Sequence, residues 1–509
     1  MIDCIIIGAG PGGIVCTKEM LEAGIQNTVC VEQSSSLGGV FADSYDSLYL
    51  TSSGAFSMFS DFWIGDGNAH SFWKKSEVLD YWTRYAEHFD VLDHIKFDAR
   101  VTNVEQLNPQ GWRVLLETGE TMECRHLVLA TGNNVIENYP EWRDQVSNIE
   151  VMHSKEYRNA LALEGKRVLI VGGGESASDI ALEVSKCAKK CWVSLRNGTG
   201  WVVPRKRGKN AADVSTHRGF WNLPRKWGEM VSASILANDM ELAKNDPEMA
   251  ALVKLNQSVP SKKGIWGTYG TKSMALPQAI AHYGCEVVPE ITGIENDGRM
   301  LELKGGGVIE DVDVIIFCTG FKNAVPFMPA GLQQRDPRGL FKHLFAPQTG
   351  PALAWLGWAR PAFGSQFPIM EMQSRYCARV FSNSLELPSA AEMAQVIEAD
   401  KDIYIAQFEQ TGERIRSLVD YFKYMGDLAK ILGCTPPLLK TFFTRPRLWL
   451  HLVYGPMQAT QFRLQGKGKK VSLAREIILQ LPVSPFNHVV KAGLKGRVYT
   501  MFDKVWPRR

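Results

Sequence analysis

One pattern occurs twice in this chain, and it restricts the fold more than any other feature. Residues 2–7 (IDCIII) form a short apolar run suited to a buried parallel strand. Gly8-Ala-Gly10-Pro11-Gly-Gly13 follows at once, and then a helical pattern that stops at Gly24. A second apolar strand, Thr28 to Val31, ends in Glu32. Residues 167–171 (RVLIV) restart the pattern, with Gly172, Gly174 and Ala177 in the three glycine positions and Glu175 and Ser176 opening the helix. The next strand, Cys191 to Leu195, ends in Arg196-Asn197. In such a pattern the first glycine allows a tight turn, the second lets backbone N–H groups approach a pyrophosphate, and the third lets helix and strand pack closely. Two dinucleotide-binding βαβ units are therefore expected.

The two units differ in one charge. Glu32 lies 24 residues after Gly8, and Arg196 lies 24 residues after Gly172, so opposite charges reach the same point beside a ribose. A carboxylate accepts both hydrogen bonds of a ribose diol but repels a 2′-phosphate, whereas a guanidinium offers the phosphate a planar fork. The first site is expected to take FAD and the second NADPH. Arg205, Lys206 and Arg207 either add to the phosphate field or belong to a solvated loop. Two more apolar strands close on Thr-Gly turns, at Thr131-Gly132 and at Thr319-Gly320-Phe321. As a pair they read as the points where the chain crosses between nucleotide domains.

Composition narrows the class. The 509 residues suit two or three domains, and 45% apolar with 22% charged residues is ordinary for a globular chain, which excludes disordered and fibrous classes. Lys and Arg (57) barely exceed Asp and Glu (54), so no nucleic-acid partner is expected. No apolar stretch approaches the roughly 18–20 residues that span a bilayer, and no signal peptide is visible, so a cytoplasmic location is expected. The ten cysteines form no CxxC pair, which argues against a metal knuckle or a dithiol redox centre; no metal is expected. Cys187 and Cys191, four apart, suit one helical face.

Along the chain, residues 76–89 read as a helix and 111–124 as a hairpin around Glu117–Glu120. The stretch 200–275 interrupts the second unit and is too long for a structureless loop, so helices such as 239–257 are expected in it. Further helical patterns occupy 370–383, 389–412 and 413–433. Residues 488–509 set six cations, from Lys491 to Arg509, against the single acid Asp503, interleaved with apolar residues. That composition suits a surface helix packed on the protein or weak contact with a membrane surface.

The segments Phe59-Ser-Asp61-Phe62, Tyr85-Ala-Glu-His88-Phe89 and His153-Ser-Lys-Glu-Tyr157 carry a family resemblance. With Pro368-Ile-Met-Glu371-Met-Gln373-Ser-Arg375, Tyr454-Gly-Pro456 and Gln461-Phe-Arg463-Leu, they resemble flavin-containing monooxygenases over nearly the whole chain. The resemblance implies an α/β fold of two Rossmann-like domains, with the NADPH domain inserted into a discontinuous FAD domain. The expected division is 1–150 and 321–509 for FAD, the latter with a C-terminal helical region, and 151–320 for NADPH with a helical insertion around 200–275. On this basis Gln33, Gly39, Val40, Phe41, Val101, Thr131, Gly132, Thr319, Gly320, Phe321 and Gln373 join the two fingerprints as cofactor-binding residues.

The chemistry implied by the resemblance belongs to the cofactors. NADPH reduces FAD, dioxygen forms a flavin C4a-hydroperoxide, and one oxygen atom passes to a nucleophilic nitrogen or sulfur of a small organic substrate, as in N,N-dimethylaniline monooxygenases. The protein supplies a dry pocket and hydrogen bonds to the peroxide. The chain departs from the family at Thr51, where the animal enzymes carry Asn, and at Ser147 and Ile149, which replace the Phe and Gly of the signature before His153. Thr51, Ser52 and Ser53 are the candidate hydroxyls, and Asp61 either orients the flavin edge or caps the turn after Phe59. His153 is a motif residue rather than a base. A Baeyer–Villiger monooxygenase acting on a ketone would usually carry Trp where Tyr157 stands. A flavin oxidase and a non-catalytic flavoprotein stay open, and a disulfide reductase would need the dithiol that is absent. The 14 Trp, 14 Tyr and 23 Phe allow an aromatic-lined pocket without naming its substrate; oligomeric state is not readable.

Overall fold

The computed structural model describes residues 1–65, 68–107, 111–196, 198–222, 225–295, 300–333, 336–408 and 413–483. Asn197 and the basic stretch 488–509 lie outside the described residues.

The first fingerprint folds as expected. Strand β1 (Ile2–Ile7) leads into helix α1 (Pro11–Glu22), which has Pro11 at its first position, where a missing N–H costs nothing. Strand β2 (Thr28–Val31) pairs with β1 in parallel. Helix α2 (Lys75–His88) then covers the sheet through Val78, Tyr81, Trp82 and Tyr85, and the short strand β3 (Ile95–Lys96) joins β2. Strand β4 (Val101–Gln106) pairs with β5 (Trp112–Leu116), and β5 with β6 (Thr121–Leu129), all antiparallel, which places the expected hairpin. The far half of β6 returns beside β1, giving the order β3-β2-β1-β6-β5-β4.

After β6 the chain passes through β7 (Ile136–Glu137) into a second, wholly parallel sheet. Its strands are β8 (Glu150–His153), β9 (Arg167–Val171), β10 (Lys190–Leu195), β11 (Glu286–Pro289) and β12 (Val314–Phe317), in the order β11-β10-β9-β12-β8. Helix α3 (Glu175–Ser185) follows β9. The chain leaves through β13 (Phe321–Lys322), which pairs antiparallel with β7, so the two crossing points form one ribbon. Strand β14 (Leu353–Trp355) then rejoins the first sheet beside β6. The second sheet is therefore an insertion within the first.

Several elements differ from expectation. The expected helix 239–257 is two helices, α4 (Arg225–Leu242) and α5 (Pro247–Gln257). Pro247 cannot continue a helix, and Asp246 caps the new one by accepting the Glu248 and Met249 amides at 2.9 and 3.2 Å. Helix α6 (Ala275–Tyr283) packs beside α3. Helix α7 (Gln366–Phe381) begins four residues earlier than expected because Ser365 caps it, and α8 (Ala390–Gln407) starts at a Ser389–Glu392 capping box. The pattern 413–433 is broken: Leu418–Val419 pairs with Arg360–Pro361 as a parallel strand, and Asp420 then caps α9 (Tyr421–Ile431). Cys187 and Cys191 share no helical face, because α3 ends at Ser185 and Cys191 lies on β10, its sulfur 3.8 Å from that of Cys285.

Candidate active site between two glycine cradles

The first cradle is shaped by collisions that side chains would cause. Gly8 has φ +105°, and a Cβ there would lie 2.7 Å from the Ala130 carbonyl oxygen; at Gly13 it would overlap the Gly8 carbonyl oxygen. Gly10 caps α1 and faces Gly39, which has φ +54°. The helix N-terminus thus presents bare backbone to an anion. Glu32 is buried at the tip of β2, where one carboxylate oxygen accepts the Ala9 amide at 2.7 Å and the other the Ser34 amide at 2.9 Å. The oxygen bonded to Ser34 also accepts that residue's hydroxyl at 2.6 Å, so it is the oxygen bonded to Ala9 that keeps a lone pair for a ribose hydroxyl. Ala99 donates its amide to the Glu32 carbonyl at 2.8 Å, and Val101 follows two residues later at the start of β4.

Ala130 and Thr131 leave β6 directly against Gly8, and Gly132 follows with φ +71°. Gln33 and Val40 are exposed and Phe41 is half-buried, its ring edge-on to Trp82 at 5.1 Å. Gln373 is buried and reaches the cradle indirectly. It accepts the Gly357 amide at 3.0 Å and donates to the Tyr424 hydroxyl at 2.7 Å, fixing the turn after Leu356, whose side chain packs on Gly12.

The second cradle repeats the design. Gly172 has φ +130°, and a Cβ there would overlap the Cys318 carbonyl oxygen; Gly174 caps α3 and Ala177 is buried in the third position. Glu175 accepts the Lys272 amide at 3.4 Å, and Ser176 is half-buried. Arg196 is exposed at the end of β10. Thr319 bonds the Asn138 carbonyl, and Phe321 pairs with Glu137 in the crossing ribbon. His153 is locked there too: its Nδ1 accepts the Lys155 amide at 3.2 Å, so its Nε2 donates to the Gly320 carbonyl at 3.2 Å. Burial pulls its pKa down, and the ring holds the ribbon in place.

Between the cradles lies the loop with the candidate hydroxyls. Thr51 is half-buried, and the Ser52 hydroxyl meets those of Ser57 at 3.0 Å and Ser365 at 3.3 Å. The Ser53 amide donates to Asp213 at 2.7 Å. Asp213 comes from the insertion in the second unit, and no sequence motif announced it. A Cβ at Gly54 would overlap the Asn68 carbonyl oxygen, so the backbone itself excludes a longer residue. Ser53 Oγ, Asp213 Oδ1, Thr199 Oγ1, Thr268 Oγ1 and Thr271 Oγ1 are among the buried side-chain atoms that lack a hydrogen-bond partner in the described residues. Buried polar atoms are normally paired, so these groups fit a polar ligand.

Asp61 sits elsewhere, in a buried ion cluster. Its carboxylate pairs with Lys18 and, at 2.7 Å, with Lys470, while Arg463 lies 3.7 Å away and also binds Glu19 and Glu371. Ser60 donates its amide to Glu371 at 2.8 Å. Burial alone would raise the Asp61 carboxyl, but Lys18 and Arg463 outweigh it and hold it below the usual range. Glu19, Glu22 and Asp61 converge, and the positive charge at their centre is the Lys18 ammonium, 3.1 Å from Glu19 and 2.8 Å from Glu22.

An aromatic recess adjoins the serine loop. Trp221 stacks on Phe422 at 5.5 Å and meets Trp266 edge-on at 4.7 Å, with Phe363, Tyr421 and the buried Thr268 completing the wall. Phe363 stands two residues before the Ser365 that bonds Ser52, and Lys272 fixes the intervening Gly364 through its carbonyl at 2.9 Å.

Residues 3–503 match the flavin-binding monooxygenase-like family. The chain belongs to that family. Its relatives include a 4-hydroxybenzoate brominase (decarboxylating) of Pseudoalteromonas luteoviolacea, 33% identical over 94% of this chain and 92% of the relative. Flavin-containing monooxygenase 5 of Mus musculus is 30% identical over 93% of this chain and 90% of its own length. Among solved structures, S-allyl-L-cysteine S-oxygenase from Allium sativum superposes with a TM-score of 0.61 at 20% identity, covering 98% of both chains. Flavin-binding monooxygenases of this family use FAD and NADPH. Both cradles, where a Cβ would collide, and the unpartnered buried hydroxyls fit those two groups.

Proposed function

We propose that the protein uses NADPH and dioxygen to place one oxygen atom on an amine nitrogen or sulfide sulfur of a small substrate, the other atom leaving as water. The observation that carries this reading is the aromatic recess beside the serine loop. Its lining includes one carboxylate, Asp420, and no cation. Indole and phenyl faces attract a soft or cationic head group, and the carboxylate adds to that attraction.

The residues divide the work. Gly8, Gly10, Gly13 and Glu32 would hold FAD, with Thr131, Gly132 and the turn set by Gln373 closing over it. Gly172, Gly174, Ala177, Arg196 and the Thr319–Phe321 ribbon would hold NADPH. When bound, these groups supply the two-electron relay to dioxygen. Ser52 and Ser53 present hydroxyls, Asp213 fixes the Ser53 backbone, and the aromatic wall excludes water. Thr51, in the place of the family's Asn, supplies a shorter hydroxyl. Asp61 anchors the turn that carries Phe59 rather than touching the cofactor.

The division into two FAD segments, 1–150 and 321–509, around an NADPH segment, 151–320, follows from the same reading. A second reading, halide-dependent substitution on a phenolic acid, is favoured by the 33% identity to brominases. It asks the recess to accept a carboxylate beside Asp420. The test is product analysis with methyl phenyl sulfide, N,N-dimethylaniline, cyclohexanone, and 4-hydroxybenzoate with bromide. Sulfoxide and N-oxide are expected. Lactone or bromophenol as the sole product would overturn the proposal.

A further inference from the structure

A surface outside both cradles has the makings of a lipid-docking site. Helix α10 (Leu438–Thr444) and helix α11 (Pro446–Tyr454) form a hairpin, followed by α12 (Val471–Gln480). Inward, Leu448 and Leu452 pack with Leu464, Ala474 and Ile478. Outward, the hairpin is also apolar: Leu439 is 76% exposed, Phe443 75%, Phe442 46% and Leu450 41%. Leu439, Phe442 and Phe443 have the i, i+3, i+4 spacing of one helical face, and Phe442 meets Trp449 at 5.0 Å, which carries the face onto α11. Single exposed apolar residues are ordinary, but a contiguous set containing two phenylalanines marks an interaction surface.

The segment that builds this face is basic, with Glu476 on α12 its first acid. From Leu428 to Arg475 the sequence contains no acidic residue and nine Lys or Arg. Lys440, Arg445 and Arg447 are exposed on the hairpin itself, and Lys467 and Lys469 on the loop that precedes α12. The cations lie between the apolar residues along the sequence of a short helical hairpin, where a protein partner would more usually meet an apolar centre within a polar rim. Apolar side chains that enter the acyl boundary while cations meet headgroups are the chemistry of interfacial binding to an anionic bilayer. No described helix is long and apolar enough to cross a membrane, so contact through this face would be peripheral.

We propose that the α10–α11 hairpin docks on anionic lipid surfaces through Leu439, Phe442, Phe443 and Leu450, with Lys440, Arg445 and Arg447 at the headgroups. This differs from the contact expected of the basic stretch 488–509, and the experiment separates the two. The full-length holoprotein is floated with vesicles of phosphatidylcholine alone and of phosphatidylcholine with phosphatidylserine. Phe442→Ser/Phe443→Ser and Lys440→Gln/Arg445→Gln/Arg447→Gln variants are compared with Lys491→Gln/Lys495→Gln/Arg497→Gln. NADPH oxidation and flavin content serve as the folding check.

Binding is expected only to the anionic vesicles, weakening as salt rises, and reduced roughly tenfold or more in each hairpin variant with NADPH oxidation unchanged. Three results would overturn the proposal. One is binding that the tail variant alone abolishes. Another is no binding to either vesicle. The third is a fall in oligomeric state of the phenylalanine variant with lipid binding untouched, which would assign the face to a second copy of the chain.

Discussion

Ser53 donates its backbone N–H to the Asp213 carboxylate at 2.7 Å, across 160 positions of sequence. The contact ties the hydroxyl loop of the first sheet to the insertion carried by the second, so the loop's geometry depends on both. Replacing Asp213 by Ala leaves the Ser53 amide buried without an acceptor, a cost of about 1–3 kcal/mol. Asp213→Ala is expected to lower turnover about tenfold while flavin content stays near one per chain. Asp213→Asn keeps an acceptor oxygen and is expected to retain most activity. Steady-state NADPH oxidation with flavin quantitation checks both.

The ion cluster around Asp61 makes a stability prediction with a definite sign. Burial would raise the Glu19 carboxyl, but Arg463 and Lys18 bring it down to about 2, and they hold Asp61 below its ordinary range as well. Carboxylates depressed in the folded state stabilise it above their unfolded pKa, roughly 4, and lose that contribution as pH falls through the folded values. Thermal unfolding followed by circular dichroism should therefore be insensitive to these groups above about pH 5 and should destabilise steeply below about pH 4. Asp61→Asn leaves the buried Lys18 and its neighbours short of a partner, and about 3–5 kcal/mol of destabilisation is expected at neutral pH.

Gly54 opens the short helix that follows the serine loop, and the Asn68 carbonyl occupies the space a Cβ needs. Gly54→Lys is expected to displace the serine loop, lowering stability by about 1–3 kcal/mol and turnover with it. Unchanged melting and unchanged turnover would contradict the packing described here.

Much of this was legible in the chain. The residue ranges of β1, β2 and β9 follow from apolar runs bounded by glycine, and the cradles follow from glycines that only a close backbone approach requires. Breaks were harder. The periodicity of 239–257 continues across Asp246-Pro247, yet proline removes a helical N–H, and a local cap wins. Residues 418–419 leave their helix because the Arg360 backbone offers a strand partner that no local pattern reveals. The roles of Asp61 and Asp213 depend on Lys18, Lys470, Arg463 and Ser53, all far away in sequence, so spacing could not assign them. The aromatic recess likewise draws Trp221, Trp266, Phe363 and Phe422 from separate segments.

The charge difference between Glu32 and Arg196 is the centre of the account, and coenzyme preference tests it most directly. The kcat/KM for NADPH and for NADH should be measured in the wild type and in Arg196→Gln, together with flavin occupancy in Glu32→Ala. A guanidinium–phosphate interaction of about 1.5–3 kcal/mol makes the expected loss for NADPH roughly ten- to a hundredfold, with NADH little changed and flavin retained. Glu32→Ala should emerge depleted of flavin. Equal losses for both coenzymes in Arg196→Gln, or full flavin content in Glu32→Ala, would contradict the assignment of the two cradles.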